Sequence, residues 1–150
     1  MKLKQLVVSI ENSPERLYEV THALGEAGIN LRALNLVDTG AFGQLRLLVT
    51  DVPKARQILM ALQMPAYENE VVAVGIPDVP HSLANLLKPL ISQGVHVVFM
   101  YAFAGFAADN GSAVMVFRFS DNDKAIDLLQ KSGIKILDEK AFGILESNGR

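Results

Sequence analysis

Leu6, Val8 and Ile10 alternate with Val7 and Ser9, the period-2 pattern of a strand with one buried face, and this strand is expected to end at Glu11. The pattern then changes to helical spacing, with Leu17, Val20, Leu24 and Ala27 on one stripe. Ser13 supplies a hydroxyl where a helix needs an N-cap, and Pro14 falls at the first helical position, where its missing N–H costs nothing. Gly28 stands where a left-handed residue ends the helix. A strand over 29–37 follows, then a turn-rich break over 38–43. Leu45, Leu47 and Val49 alternate with Gln44, Arg46 and Leu48 in another strand. Asp51 opens a second helix whose apolar stripe is Ala55, Ile58, Leu59 and Leu62.

The same pattern then returns. Ile10, Asn12, Pro14, Leu17, Leu24, Gly28 and Ile29 recur 66 residues later as Ile76, Asp78, Pro80, Leu83, Leu90, Gly94 and Val95. Thr50, Asp51, Lys54, Ala55, Ile58 and Leu59 recur at an offset of 70 as Ser120, Asp121, Lys124, Ala125, Leu128 and Leu129. The four extra residues fall between the two matched runs, which fits a longer loop at 104–112 than at 38–43. A fixed internal period marks a tandem of one module. The second copy is expected to have strand 71–76, helix 80–93, strands 95–103 and 112–119, helix 121–132 and strand 135–138. The expected fold is α+β: two ferredoxin-like βαββαβ modules, residues 1–70 and 71–150, each an antiparallel sheet with both helices on one face. Pro89 removes a helical hydrogen bond and should kink or shorten the helix around it. The stretch 68–76 reads as one strand that both ends the first module and begins the second. Phe142, Gly143 and Ile144 echo Val74, Gly75 and Ile76, so each module is expected to end in a two-part strand.

Composition adds an expectation about assembly. Half of the 150 residues are hydrophobic and 20% are charged, a large apolar share for modules of about 70 residues. Val7, Leu48, Val114 and Val116 should point away from the helices, onto a face that an antiparallel sheet in water would make polar. Burial of module against module and of chain against chain in a homodimer is therefore expected. The net charge is −2 and no stretch gathers Lys and Arg into a phosphate-binding footprint, which argues against nucleic acid. The absence of cysteine excludes disulfides, thiolate nucleophiles and sulfur-ligated metals. No apolar run approaches a membrane span and no signal-peptide pattern opens the chain, so a soluble cytoplasmic protein is expected.

Few residues suggest chemistry. His22, His81 and His96 have no metal-ligand spacing, no acid/base pair recurs, and no cofactor is implied. Gly40, Gly43, Gly105 and Gly111 match no phosphate loop; they read as hairpin glycines, with Asn110 and Gly111 a type I′ turn. Phe117 and Phe119 share a strand face as in an RNA-binding sheet, but their alignment with Met115 places them in the core. Asn12 and Asp78 share a position in the turn before each module's first helix. There they are either caps or Asx turns, or acceptors for an ammonium beside a helix N-terminus that can seat a carboxylate. Asn30 and His96 share a second position, just after the glycine that ends that helix.

Asn12-Ser13-Pro14 with Leu17 and Val20, Gly28-Ile29-Asn30-Leu31, and Phe42-Gly43 with Leu45-Arg46 and Val49-Thr50-Asp51 together resemble the ACT domain. Asp78-Val79-Pro80, Leu83, Gly94-Val95-His96 and Ser120-Asp121 repeat the outline, so the resemblance covers nearly all of residues 3–145. It is closest to stand-alone proteins built of two ACT domains. The resemblance implies a non-catalytic regulatory protein that binds a free amino acid at the interface between modules and acts on an enzyme or transporter. The ligand is expected at Asn12, Ser13, Leu17, Asn30 and Leu31 in the first copy and at Asp78, His81, Leu83, His96 and Val97 in the second. ACT domains commonly have glycine straight after the loop proline, whereas Glu15 and His81 stand there in this chain. An assembly module without a ligand is the alternative, and an enzyme a more remote one.

Overall fold

A computed structural model describes residues 1–104 and 112–145. The expected type I′ turn at Asn110 and Gly111, with Gly105, lies outside these described residues. The first copy runs β1 (Leu3–Glu11), α1 (Pro14–Glu26), β2 (Leu31–Asp38), β3 (Phe42–Val49) and α2 (Val52–Ala61). A long strand, β4 (Ala66–Pro77), leads into α3 (Ser82–Ile91), β5 (Val97–Ala104), β6 (Ser112–Phe119), α4 (Asn122–Lys131) and β7 (Lys135–Leu137). A single 3-10 turn follows at Lys140–Phe142. These are the two βαββαβ modules that the periodicity predicts.

The repeated residues hold matching bonds. Asp51 and Asp121 are the N-caps of α2 and α4, their Oδ1 atoms accepting from the backbone N–H of Lys54 at 3.2 Å and of Lys124 at 3.0 Å. The Nζ of Lys54 donates to the Ala27 carbonyl at 2.8 Å, and that of Lys124 to the Gln93 carbonyl at 3.0 Å. Each lysine thus satisfies an orphan carbonyl beyond the first helix of its own module, where positive charge is favoured. One pair of equivalents is mismatched. Gln63 follows α2 at φ 57° where Gly133 follows α4 at φ 79°. A side chain in the left-handed region costs about 1–2 kcal/mol, so the first copy carries strain that glycine removes from the second.

Pro89 lies inside α3, which ends two residues later and has 10 residues against 13 in α1. Set against α1 at the offset of 66, the helix loses one residue after Pro89 and two at its start. The expected start at residue 80 is not observed, because His81 is the N-cap and helical backbone begins at Ser82.

In the second unit the sheet order is β7, β4, β6, β5, all antiparallel neighbours. In the first, β1 pairs with β3 and β3 with β2, again antiparallel. Gln5 Nε2 donates to Asn69 Oδ1 at 2.9 Å, tying the opening residues of β4 to β1. Each helix pair covers its own sheet. Leu6, Val8, Leu45 and Leu47 pack with Val20, Leu24, Ala55 and Leu59 in one core; Val72, Val74, Met115 and Phe117 pack with Leu86, Leu90, Ala125 and Leu129 in the other. Phe117 and Phe119 stack at 4.8 Å inside this second core and are not a nucleobase platform.

The other sheet faces are apolar as expected, and Val7, Leu48, Val114 and Val116 are all buried within the single chain. They do not call for a second copy to cover them. Exposed apolar side chains stand instead on the outer strands, Leu34, Leu36 and Val37 on β2 and Val98 and Met100 on β5.

The compact units are not the consecutive halves expected from the sequence. One comprises Lys4–Asn69 with the chain from Phe142 onward, and the other Glu70–Ala141 with Met1–Leu3. The chain therefore crosses over within β4, and its two ends are exchanged. Lys2 sits 3.0 Å from Asp123 and 3.7 Å from Glu70, and these acidic partners, Asp123 foremost, raise its pKa. At the other end, the Leu145 N–H donates to the Thr50 carbonyl at 2.8 Å, and Phe142 and Ile144 are buried. Residues 142–144 thus return to the first unit, and they do so as a turn and not as the strand expected from their echo of Val74–Ile76.

Candidate functional site

The two strand-to-helix turns are equivalent in sequence position and different in geometry. In the first copy Ser13 caps α1, its Oγ accepting from the Arg16 N–H at 3.3 Å, with Pro14 beginning the helix. The Asn12 N–H donates to the Ala41 carbonyl at 3.3 Å. This is the capping arrangement that the residue types favour. In the second copy Val79 replaces the capping serine and the helix starts later. The N-cap is His81, held at φ 72°, ψ −7°, and no side chain caps α3. The carboxylate of Asp78 is exposed and makes no hydrogen bond or ion pair among the described residues. Asp78 is therefore uncommitted beside a helix start whose first N–H groups have no capping side chain.

These features border a cavity of about 500 Å³ within the second unit. The end of β4 supplies Ile76 and Pro77, the turn supplies Asp78 and Val79, and the first turn of α3 supplies Ser82 and Leu83. Its floor is Met100 and Ala102 of β5 with Ala113 and Met115 of β6. Met100 opposes Phe117 and Ala102 opposes Met115 in the antiparallel register. Paired residues share a sheet face, so this floor is the helix-facing side of the sheet, beyond the reach of α3. Its volume falls in the ordinary range for small-molecule sites, roughly 300–1,000 Å³.

Of the residues expected at a site, Asp78 and Leu83 line this cavity and His81 stands between them in sequence as the cap of α3. Asn12, Ser13 and Leu17 hold the corresponding places in the first copy, with Leu17 packed against its core. Asn30, Leu31, His96 and Val97 do not join them. The β1–β3 register ends at Glu11↔Phe42, beside Asp38↔Gly43, whereas Leu31 pairs with Val49 at the opposite end of the sheet. The 13 residues of α1 carry the chain about 20 Å back along the sheet at 1.5 Å per residue, so the position after the helix glycine is far from the turn before the helix. There the Asn30 N–H donates to Thr50 Oγ1 at 3.0 Å and the His96 N–H to Ser120 Oγ at 3.1 Å. These are backbone-to-hydroxyl links between strand ends. Met100, Ala102, Ala113 and Met115 were not among the residues expected at a site. The signal for them was the strand alternation, which puts Met100 and Ala102 on the face of Met115 and Phe117.

Among the described residues no group of His, Asp and Glu is arranged to hold a metal, and no helix is long and apolar enough to cross a membrane.

Solved structures share this architecture. Protein BT0572 from Bacteroides thetaiotaomicron is 36% identical, with a TM-score of 0.88 over 97% of this chain and 98% of that one. The regulatory subunit of aspartate kinase from Thermus flavus is 15% identical, with a TM-score of 0.60 over 87% and 92% of the two chains. Its counterpart from Thermus thermophilus, in ligand-free form, is 17% identical, with a TM-score of 0.59 over 87% and 90%. At these low identities the two kinase subunits share the fold. No match was found among curated proteins. The family model of the ACT domain pair matches residues 1–145, and with two βαββαβ modules in that span the chain belongs to this family.

Proposed function

We propose that the chain is a non-catalytic regulatory protein that binds a free amino acid in the cavity of its second unit. One observation carries this reading: a cavity of ligand size opens where an uncommitted carboxylate, Asp78, stands beside the uncapped start of α3. A zwitterion presents an ammonium and a carboxylate, and each needs a partner when removed from water. Asp78 would accept from the ammonium in a charge-assisted bond, and the N–H groups of the first turn of α3 would hold the carboxylate. A ligand with different affinities for two conformations shifts the balance between them, and an enzyme or transporter that contacts one conformation reads the change. The kinase regulatory subunits that share the fold support a regulatory role. This reading places the protein in the cytoplasm, beside free amino acids.

The test is a thermal-shift screen of the twenty amino acids on protein confirmed free of co-purified ligand. At a hundredfold excess over its dissociation constant a ligand binding only the native state adds about 2.7 kcal/mol, and the melting temperature should rise by several degrees. If none of the twenty shifts it, the chain is better read as an assembly module. That second reading draws on the outer strands, where Leu34, Leu36 and Val37 on β2 and Val98 and Met100 on β5 leave apolar side chains beside unpaired backbone edges. Such edges recruit further strands. A homodimer that extends the sheets through them is compatible with either role. Light scattering should return twice the mass of one chain at micromolar concentration, and a clean monomer would exclude the dimer.

A further inference from the structure

We propose that each chain has one such site, in the second unit, and that it selects a neutral amino acid with an apolar side chain. This rests on the amino-acid reading above and adds the number of sites and the class of ligand.

The number follows from comparing the two copies position by position. Where the second copy has Ala102 and Ser82, the first has Leu36 and Arg16. Leu36 lies across Gly43, the equivalent of Ala113, with its Cδ1 3.0 Å from where a Cβ on that glycine would stand. Its isobutyl group therefore takes up space against Gly43 where the second copy has only the methyl groups of Ala102 and Ala113. Arg16 is also committed, its Nη1 2.7 Å from Glu19 Oε2 across the first turns of α1. The corresponding capping hydroxyl, Ser13, is engaged with the Arg16 N–H. Truncation to alanine thus accounts for the open space in one copy, and Leu36 for its reduction in the other.

The class follows from what lines the cavity. Among the described residues Asp78 is its one charged side chain and Ser82 its one hydroxyl; the remaining described walls are aliphatic or thioether. Once Asp78 holds the α-ammonium, the described lining offers no cation to an acidic ligand side chain and no second carboxylate to a basic one. Either charge would lack a partner against these walls, which an apolar side chain does not need. An apolar side chain instead replaces water over Leu83, Met100 and Met115. The two methionines adapt to branched, unbranched or aromatic shapes.

Calorimetric titration of the full chain with leucine, methionine, phenylalanine, aspartate and lysine tests this directly. One of the first three should bind at one molecule per chain, at least tenfold tighter than aspartate and lysine. Ala102→Leu and, independently, Ser82→Arg install the residues of the first copy. Each should weaken binding at least tenfold, and circular dichroism should show which of them retains the native fold. Two molecules per chain would overturn the single site. Tightest binding by aspartate or lysine, still lost in these variants, would overturn the ligand class and leave the amino-acid reading standing. Unchanged binding in a folded variant would place the ligand outside this cavity, and no binding by any of the twenty amino acids would remove the amino-acid reading together with this proposal.

Discussion

Phe142→Ala should destabilise the protein by about 3–5 kcal/mol, the usual range for removing a fully buried phenylalanine. The ring has no exposed surface and belongs to the unit built from Lys4–Asn69, although Ala141 immediately before it belongs to the other. Hydrogen exchange should consequently accelerate first within residues 4–69, far away in sequence. Ending the chain at Ala141 should have a larger effect, because Ile144 and the bond from Leu145 to the Thr50 carbonyl are lost as well. Accelerated exchange confined to residues 70–141 would show that the terminal segment supports the unit it follows and not the one it returns to.

Asp78→Ala should weaken amino-acid binding at least tenfold. Hydrogen bonds to charged groups contribute about 1.5–3 kcal/mol, which corresponds to roughly ten- to hundredfold in affinity. The stability of the free protein should hardly change, since the Asp78 side chain is exposed and the cap of α3 is His81. Asp78→Asn separates charge from shape: an intermediate loss is expected, because an amide oxygen still accepts but without charge assistance. Asn12→Ala should have the smallest effect, as Leu36 reduces the equivalent space in the first copy. Equal affinity in wild type and Asp78→Ala, measured by titration, would exclude Asp78 as the ammonium partner.

The parts of this molecule visible in its sequence are those set by local periodicity and by the repeat. Asp51 and Asp121 appear as caps because capping needs only neighbouring residues, and residues 112–119 form the strand that their alternation predicts. The helix boundary at Ser82 was less legible, because no hydroxyl occupies the capping position and a histidine in left-handed backbone takes its place. At the site, Asp78 and Leu83 were readable as turn and helix-start residues. Asn30 and His96 were grouped with them because all flank the same helix, and the length of that helix is what separates them. The cavity arises from the absence of side-chain atoms at Ala102 and Ala113. Only the pairing of β5 with β6 brings those two alanines together, and the comparison with Leu36 gives their small size meaning.

The exchange of chain ends also bears on synthesis. Domains usually fold in the order in which they leave the ribosome, and residues 4–69 are made first. Phe142 and Ile144, which are buried and belong to the same unit, nevertheless follow only after the whole second unit has been translated. The earlier-made unit is thus the last to be completed, and it must be kept from aggregation while the intervening residues are added.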